Sequence, residues 1–255
     1  MKEKKIAALL LGREGSVGFP HKNIYPILGR PMMVYPLLAA LNCRYVNEVF
    51  LSTDSKKMKE IALNYKAKVI DRPAELCTKE ALSEDAWVHG YKYIKDTLKT
   101  DIELMVLLFC NAPTVTSEKL EQGIEILRKD ETLDSATTVS IYNTFSPIRA
   151  RKIAPDGTLQ PFIPLENFYK DGVVNSDRQG LGDVYFADCS GYVVRPRCLE
   201  NIAGGLLPQK WMGRRIAPIK NWGGLDIDYR YEVPQAEFWL KEHGFTEKGT
   251  PYDKR

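Results

Sequence analysis

Three short stretches carry side chains whose types and spacing could do chemistry. The first, LLLGREGSVGFPHKN, runs from Leu9 to Asn23: an apolar run stops at Gly12, and Gly15 and Gly18 follow among Arg13, Ser16, Pro20 and Lys22. Glycines after a strand let backbone N–H groups approach an anion closely. Arg13 and Lys22 add positive charge, and an arginine can grip phosphate with two hydrogen bonds. The spacing is neither that of a P-loop nor the G-x-G-x-x-G of a dinucleotide site. Alone, it reads equally well as a glycine-rich turn with two surface cations. The second stretch, GGLDIDYRYEVPQAE, sets Asp226 and Asp228 two residues apart. In extended chain both point to one face, and two oxygen-only anions on one face suit Mg²⁺, which takes carboxylates together with substrate phosphates. An acidic helix start would read the same way. The third, DRPAELCTKEALSEDAW, places Arg72 just after a strand and a loop before a helix from Glu84. Such a loop either frames a base with backbone groups and a side chain or two, or merely connects.

The elements that must position these stretches follow from hydrophobic period. Lys5–Leu11 predicts a strand, Met32–Leu41 a helix with Pro31 in its first turn, and Glu48–Ser52 a second strand. Ser55 is placed to cap a helix over Lys56–Lys66, whose Met58, Ile61, Ala62 and Tyr65 recur every three or four residues. Lys68–Ile70 predicts a short strand, Glu84–Leu98 a helix capped by Ser83, and Glu103–Phe109, nearly all apolar, a central strand buried on both faces. Ser117–Arg128 is helical and Ser135–Ile141 a strand. The alternation predicts an α/β fold with a doubly wound, mostly parallel sheet. Ligands of such sheets sit at the carboxyl ends of the strands, so the loops after the first, second and fourth strands are the places to look. From Phe145 to Tyr185 the rhythm breaks, with a turn signal at Pro155-Asp156-Gly157, and an inserted extended arm is expected within a single domain spanning 1–255. The pattern returns with a strand at Gly191–Val194, a helix near Arg197–Ala203, a strand at Arg215–Ile219 and a helix over Val233–His243.

Composition narrows the function classes. The chain has 255 residues, 44% hydrophobic and 27% charged, enough to bury a core. Its net charge of +3, from 36 basic and 33 acidic residues, argues against nucleic acid or a membrane surface as partner. The six-residue apolar run Ile6–Leu11 is shorter than a signal-peptide core and precedes no cleavage site. The five cysteines are odd in number and widely spaced, without C-x-x-C, which fits reduced thiols in the cytoplasm. His21, His89 and His243 share no ligand spacing and read as surface or packing residues. Trp222, four residues before Asp226, reads as packing in preference to pocket wall.

Together the segments resemble the acylneuraminate cytidylyltransferases, the CMP-sialic acid synthetases. REGSVGFPHKN is similar to that family's opening R-G-G-S-K-G-x-P-x-K-N, GRPMM at 29–33 to G-K-P-L-I, and LSTDS to V-S-T-D. RPAELC from Arg72 and SEDA from Ser83 resemble R-P-x-E-L-A and S-x-x-D. Asp226-Ile227-Asp228 with Ala236-Glu237 resembles the closing D-I-D and A-E. The likeness runs from about Lys5 to Leu240 and is strongest in the first 90 residues and at D-I-D. It implies that CTP and a 2-keto-3-deoxy sugar acid, of sialic, legionaminic or pseudaminic type, give a CMP-sugar and pyrophosphate. Arg13, Lys22, Asp226 and Asp228 would be the catalytic set, with the aspartates on Mg²⁺. Leu11, Gly12, Gly15, Ser16 and Asn23 would join Arg13 and Lys22 around the triphosphate. Arg72, Ala81 and Ser83 would frame the cytosine. Phe109, Asn111, Arg149 and Asp188 would face the acid. The arm at 145–185 would contact a partner subunit in a homodimer.

Departures from the pattern fall around phosphates and acid. Val17 stands for a usual lysine, Phe109-Cys110-Asn111-Ala112-Pro113 for Q-P-T-S-P, and Asp188-Cys189 for N-G. A retained cytidine site with an altered acid is therefore expected. The alternatives are a nucleotide-binding paralogue without turnover, motivated by Val17 and Phe109, and an enzyme using another triphosphate such as GTP.

Overall fold

A computed structural model describes residues 4–15, 18–164 and 182–253. Its strands are β1 (Lys5–Leu11), β2 (Pro26–Ile27), β3 (Arg30–Pro31), β4 (Glu48–Thr53), β5 (Lys68–Asp71), β6 (Ile102–Phe109), β7 (Ser135–Ile141), β8 (Arg151–Ile153), β9 (Leu159–Pro161), β10 (Tyr185–Val194) and β11 (Ile216–Lys220). Helices α1 (Val34–Leu41), α2 (Lys56–Asn64), α3 (Ser83–Leu98) and α4 (Ser117–Lys129) alternate with the early strands; Pro196–Glu200 and Val233–Glu242 are helical later. Seven strands form one sheet in the order β11-β7-β10-β6-β1-β4-β5, parallel except for β10, which runs antiparallel to both neighbours. The expected doubly wound, mostly parallel sheet is thus the one present.

The alternation of side chains across β1 divides the core. Ile6, Ala8 and Leu10 join Leu37 of α1, Met58 of α2 and Leu120 and Ile124 of α4 on one face. Ala7, Leu9 and Leu11 join Trp87, Tyr91 and Ile94 of α3 on the other. Burial on both faces explains why β1 and β6 read as continuous apolar runs. A third cluster unites Phe19, Ile27 of β2, Tyr35 of α1, Ile227 and, from the last helix, Ala236, Trp239 and Leu240. This cluster ties the loop after β1 to the aspartate segment more than 200 residues later.

Some boundaries differ from the sequence expectation. Pro31 lies in β3 and α1 starts only at Val34. Ser55 holds the N-cap position of α2 without a side-chain cap; its N–H is taken by Thr53 Oγ1 at 3.2 Å. Ser83 is the first helical residue of α3 and not its cap, a position occupied by Leu82, while Glu84 and Asp85 complement the helix N-terminus. The strand expected at Gly191–Val194 is the end of the ten-residue β10. The helix expected near Arg197–Ala203 stops at Glu200, and a 3-10 turn covers Ile202–Gly204. In the inserted segment β8 and β9 form a hairpin around Pro155-Asp156-Gly157, whose Asp156 Oδ1 accepts from the Thr158 N–H at 2.9 Å and hydroxyl at 2.7 Å. The rest of the arm, 165–181, lies outside the described residues.

One buried carboxylate organises the far side of the sheet. Asp188, 5% exposed in β10, accepts from Thr138 Oγ1, Ser140 Oγ (2.6 Å), the Ser190 N–H (3.1 Å) and Asn221 Nδ2 (3.1 Å). It thereby joins β7 and β10 to the chain that leads into Asp226. Removing it would orphan several buried donors, which costs more than the hydrogen bonds themselves. Asp188→Ala is therefore expected to lower the free energy of unfolding by about 2–4 kcal/mol, read from urea denaturation.

Candidate active site

A cleft of about 180 Å³ opens at the carboxyl ends of β1 and β6. Its walls bring together ten of the residues selected from the sequence: Leu11, Gly12, Arg13, Lys22, Asn23, Arg72, Ala81, Ser83, Phe109 and Asn111. Leu76, Leu82 and Ala86, which the sequence reading did not select, complete an apolar side. Gly15, with φ of +81°, lies on a smaller adjoining recess that shares Arg13, Lys22 and Asn23 with the cleft. Ser16 and Val17 lie outside the described residues.

The opening loop is shaped by its neighbours. The Gly12 N–H donates to the Ser52 carbonyl at 3.3 Å, continuing the β1–β4 pairing. A Cβ at Gly12 would stand 2.8 Å from Cys110 Sγ, so the loop's close approach to the end of β6 requires glycine there. Buried Asn23 donates from Nδ2 to the Arg13 carbonyl at 3.1 Å and fixes the loop across its width. A Cβ at Gly18 would lie 3.2 Å from the Asp228 carbonyl oxygen: the loop rests directly on the aspartate segment.

Arg72 is the most deeply held cation of the cleft, 8% exposed. It donates from Nε to Ser52 Oγ at 3.2 Å and from Nη2 to the Ser52 carbonyl at 2.5 Å. Among the described residues no carboxylate lies within ion-pair distance of it. Burial lowers its pKa, yet an arginine remains charged. The fold therefore holds a buried positive charge on the cleft wall that an anion or a polarised carbonyl oxygen could satisfy.

Opposite, the segment 221–228 is laced across the strand ends. Thr114 Oγ1 donates to the Leu225 carbonyl at 3.1 Å and accepts from the Leu225 N–H at 2.9 Å. The Gly224 N–H donates to Ser140 Oγ at 3.1 Å, and Tyr142 Oη to the Gly224 carbonyl at 2.7 Å. Asn111 pairs with Ile227 in both directions: the Ile227 N–H donates to the Asn111 carbonyl at 2.8 Å, and Asn111 Nδ2 to the Ile227 carbonyl at 3.1 Å. The same amide reaches Asp226 Oδ2 at 3.4 Å. Ile227 is fully buried between the two aspartates, which turns their side chains away from the core. Asp228 is ion-paired with Lys22 Nζ. Glu232 Oε2 takes the N–H groups of Asp228 (2.7 Å) and Tyr229 (2.9 Å). The sequence reading missed Glu232, although a glutamate three residues after Tyr229 has the spacing of a capping box.

The carboxylate pair is electrostatically uneasy. Burial, and then the neighbouring Asp228 carboxylate, raise the Asp226 pKa; Lys22 and Asn111 offset this only in part. Among the described residues no group of three His, Cys, Asp or Glu could hold a metal. Two carboxylates whose repulsion is only partly relieved, beside an oxygen-rich substrate, nevertheless fit a hard divalent cation that takes its remaining ligands from phosphate and water.

Beyond the opening loop, four selected residues are absent from the cleft lining: Asp226 and Asp228 adjoin it through Asn111 and Lys22, and two others are elsewhere. Asp188 is consumed by the buried network described above and does not line the cleft. Arg149 sits exposed on the 3-10 turn Pro147–Arg149, also away from the cleft lining. Phe109 does face the cleft, and its ring also packs on Trp87 (5.2 Å) and Tyr192 (6.2 Å), so it is core and wall at once. Trp222 packs against Phe238, Trp239 and His243, as expected of a packing residue.

A sheet of this order, with a cationic glycine loop and paired carboxylates at its carboxyl edge, defines a Rossmann-like nucleotidyltransferase fold. The same fold is found in CMP:2-keto-3-deoxy-manno-octonic acid synthetase complexed with CTP, which superposes with a TM-score of 0.65 over 94% of this chain and 99% of that one at 16% identity. The family model described as Cytidylyltransferase matches residues 7–153, and the chain belongs to that family. It is 30% identical over 192 residues to N-acylneuraminate cytidylyltransferase of Escherichia coli O18:K1:H7, covering 74% of this chain and 43% of that protein. It is 30% identical over 254 residues to N-acylneuraminate cytidylyltransferase A of Danio rerio, covering 98% and 54%. The chain thus spans about half the length of these curated relatives.

The Asp226 environment has a consequence for stability. A carboxyl whose pKa is raised by folding binds its proton more tightly in the native state, so its contribution falls as pH rises from the ordinary carboxylate range through the raised value. In EDTA, Asp226→Asn is expected to raise the urea midpoint above wild type at pH 7.5, with the gain shrinking as pH is lowered towards 4.5. A gain independent of pH would show that the Asp226 charge is not strained.

Proposed function

We propose that this protein is a CTP-dependent cytidylyltransferase that activates a 2-keto-3-deoxy sugar acid of sialic, legionaminic or pseudaminic type, releasing pyrophosphate. The observation that carries this reading is the convergence of Arg13, Lys22, Asn23, Arg72, Ser83 and Asn111 on one cleft, closed by Asp226 and Asp228. Names and folds of the relatives point to the same chemistry.

The residues divide the work by position. Arg13, Lys22 and the glycine-loop backbone neutralise the triphosphate, which carries most of the substrate charge. Arg72, Ala81 and Ser83 border the place for the base, with Leu76 and Leu82 as apolar cover. Asn111 and Phe109 border the place for the acid. The anomeric hydroxyl attacks the α-phosphorus; an O–P bond forms, the bond to the β-phosphate oxygen breaks, the electron pair leaves with pyrophosphate and the hydroxyl proton is released. Asp226 and Asp228 would hold Mg²⁺, which when bound supplies charge neutralisation at the phosphates and acidifies the attacking hydroxyl. The clamp of Asn111 on Ile227 keeps both carboxylates at the cleft edge, and the loop keeps the phosphate cations facing them, so reactants are held in line with little reorganisation.

Two measurements test the reading. Among ATP, CTP, GTP and UTP, CTP with Mg²⁺ is expected to give the largest thermal shift, a ligand at 100 times its Kd stabilising by about 2.7 kcal/mol; a larger shift with GTP would reassign the base. Pyrophosphate release with CTP and a panel of sugar acids is expected for at least one acid, with Asp226→Ala and Asp228→Ala lowering kcat/KM at least about 100-fold. Nucleotide binding without pyrophosphate from any acid would favour a paralogue that has lost turnover.

The arm supports a homodimer as the working form. Phe145, Ile153, Leu159, Phe162 and Tyr185 are all exposed, with Ile153 at 77% and Leu159 at 70%. A small two-stranded ribbon with apolar residues in solvent calls for a covering surface. Size-exclusion chromatography with light scattering is expected to show a dimer, and Ile153→Asp with Leu159→Asp a monomer that keeps its melting transition.

A further inference from the structure

We propose that Lys22 is the resident counter-ion of Asp228, and that polyphosphate and divalent cation bind in a linked manner because each claims one half of this ion pair. The inference rests on the site reading above and concerns how the site is loaded.

Lys22 Nζ contacts Asp228 Oδ1, with side-chain exposures of 13% for the lysine and 59% for the aspartate. The backbone on both sides is fixed. The Lys22 N–H donates to the Phe19 carbonyl at 3.2 Å, and Asn23 beside it is tied to Arg13. Asp228 is held by Glu232, and its carbonyl lies against Gly18. The pair therefore joins two rigid supports through one flexible butyl chain. Lys22 also lines the cleft beside Arg13, within the wall that would receive phosphates.

Charge makes the exchange a coupled one. Among the described residues no other cation is paired with Asp226 or Asp228. If Lys22 turns to a phosphate while no metal is present, two carboxylates two residues apart lose their counter-charge beside a polyanion. That state is penalised by like-charge repulsion. If a divalent cation takes Asp228 first, Lys22 is released, and the cleft gains a free cation for the phosphate. By thermodynamic reciprocity each ligand then strengthens the other by the same factor. The pair is solvent-edged on the aspartate side, so the factor is modest, about three- to tenfold.

Inorganic tripolyphosphate is the probe, because it reports on the phosphate cations without any base. Titration calorimetry in EDTA with the full chain compares wild type, D228N, K22M and the double variant. The expected result is that D228N strengthens tripolyphosphate binding about three- to tenfold when Lys22 is present and less than about twofold in the K22M background. With no anion present, K22M is expected to bind Mn²⁺ more tightly than wild type by a similar factor, while K22R, which keeps the pair, is not. Equal strengthening by D228N in both backgrounds, or a Mn²⁺ affinity unchanged by K22M, overturns the proposal. If the tripolyphosphate linkage is present but CTP binds no better than the other three triphosphates, the linkage stands and the cytidine reading falls.

Discussion

The site depends on one constraint: a short extended strip must hold two like charges at the edge of a cleft lined by opposite ones. Ile227 is the anchor. It is fully buried in the cluster formed by Phe19, Tyr35 and Trp239, and its backbone is paired in both directions with Asn111. Burying a β-branched side chain between two aspartates fixes which way they face, since neighbours in extended chain alternate. The hydrophobic effect thus sets the direction of charged groups that would otherwise repel each other apart. The same cluster contains Phe19 from the opening loop, so the anchor that orients the carboxylates also seats the cations.

The buried polar residues form a second tier of this support. Asp188 gathers Thr138, Ser140, Ser190 and Asn221, and Ser140 in turn takes the Gly224 N–H. Thr114 links Ser190 Oγ at 2.8 Å to both polar groups of Leu225. These bonds run from the antiparallel strand through the sheet end into the strip. Apart from Asn221 Oδ1, which is buried without a partner among the described residues, the polar groups of this network are paired, and such pairing specifies one geometry more sharply than apolar packing does. The one antiparallel strand, β10, is the strand that supplies Asp188 and Ser190 to this network.

Much of this was legible in the sequence, for physical reasons. β1 and β6 announce themselves because strands buried on both faces need unbroken apolar runs. Loops at the carboxyl ends of parallel strands pointed to Arg13, Lys22 and Arg72, whereas Ala81, Ser83, Phe109 and Asn111 came only with the resemblance to the cytidylyltransferases. Three kinds of feature were not legible. Ser55 and Ser83 have cap-forming side chains, but whether a hydroxyl caps depends on its rotamer and on where the first turn begins, and α3 already begins at Ser83. Asp188 read as a substrate contact because a carboxylate's burial depends on donors 33 to 50 residues away. The ion pair of Lys22 with Asp228 spans 206 positions and follows only once the third core cluster is closed.

The departures from the family pattern acquire a common physical meaning in the structure. Cys189 adopts φ of +60°, the left-handed conformation that a glycine takes without steric cost, where the resembling pattern has N-G. The backbone shape is kept and a side chain is added. Its thiol is half-buried, and burial together with the Asp226 carboxylate pushes it up to about 12, so it stands neutral near that carboxylate. Phe109, standing where the pattern has glutamine, puts an aromatic ring on the cleft wall close to Asn111. Both changes replace groups that hydrate well, or no side chain at all, with neutral and weakly hydrated ones. Burial is the largest cause of the raised Asp226 pKa. In such a buried, low-dielectric setting the attraction of opposite charges is stronger than in water, and so is the repulsion between Asp226 and Asp228.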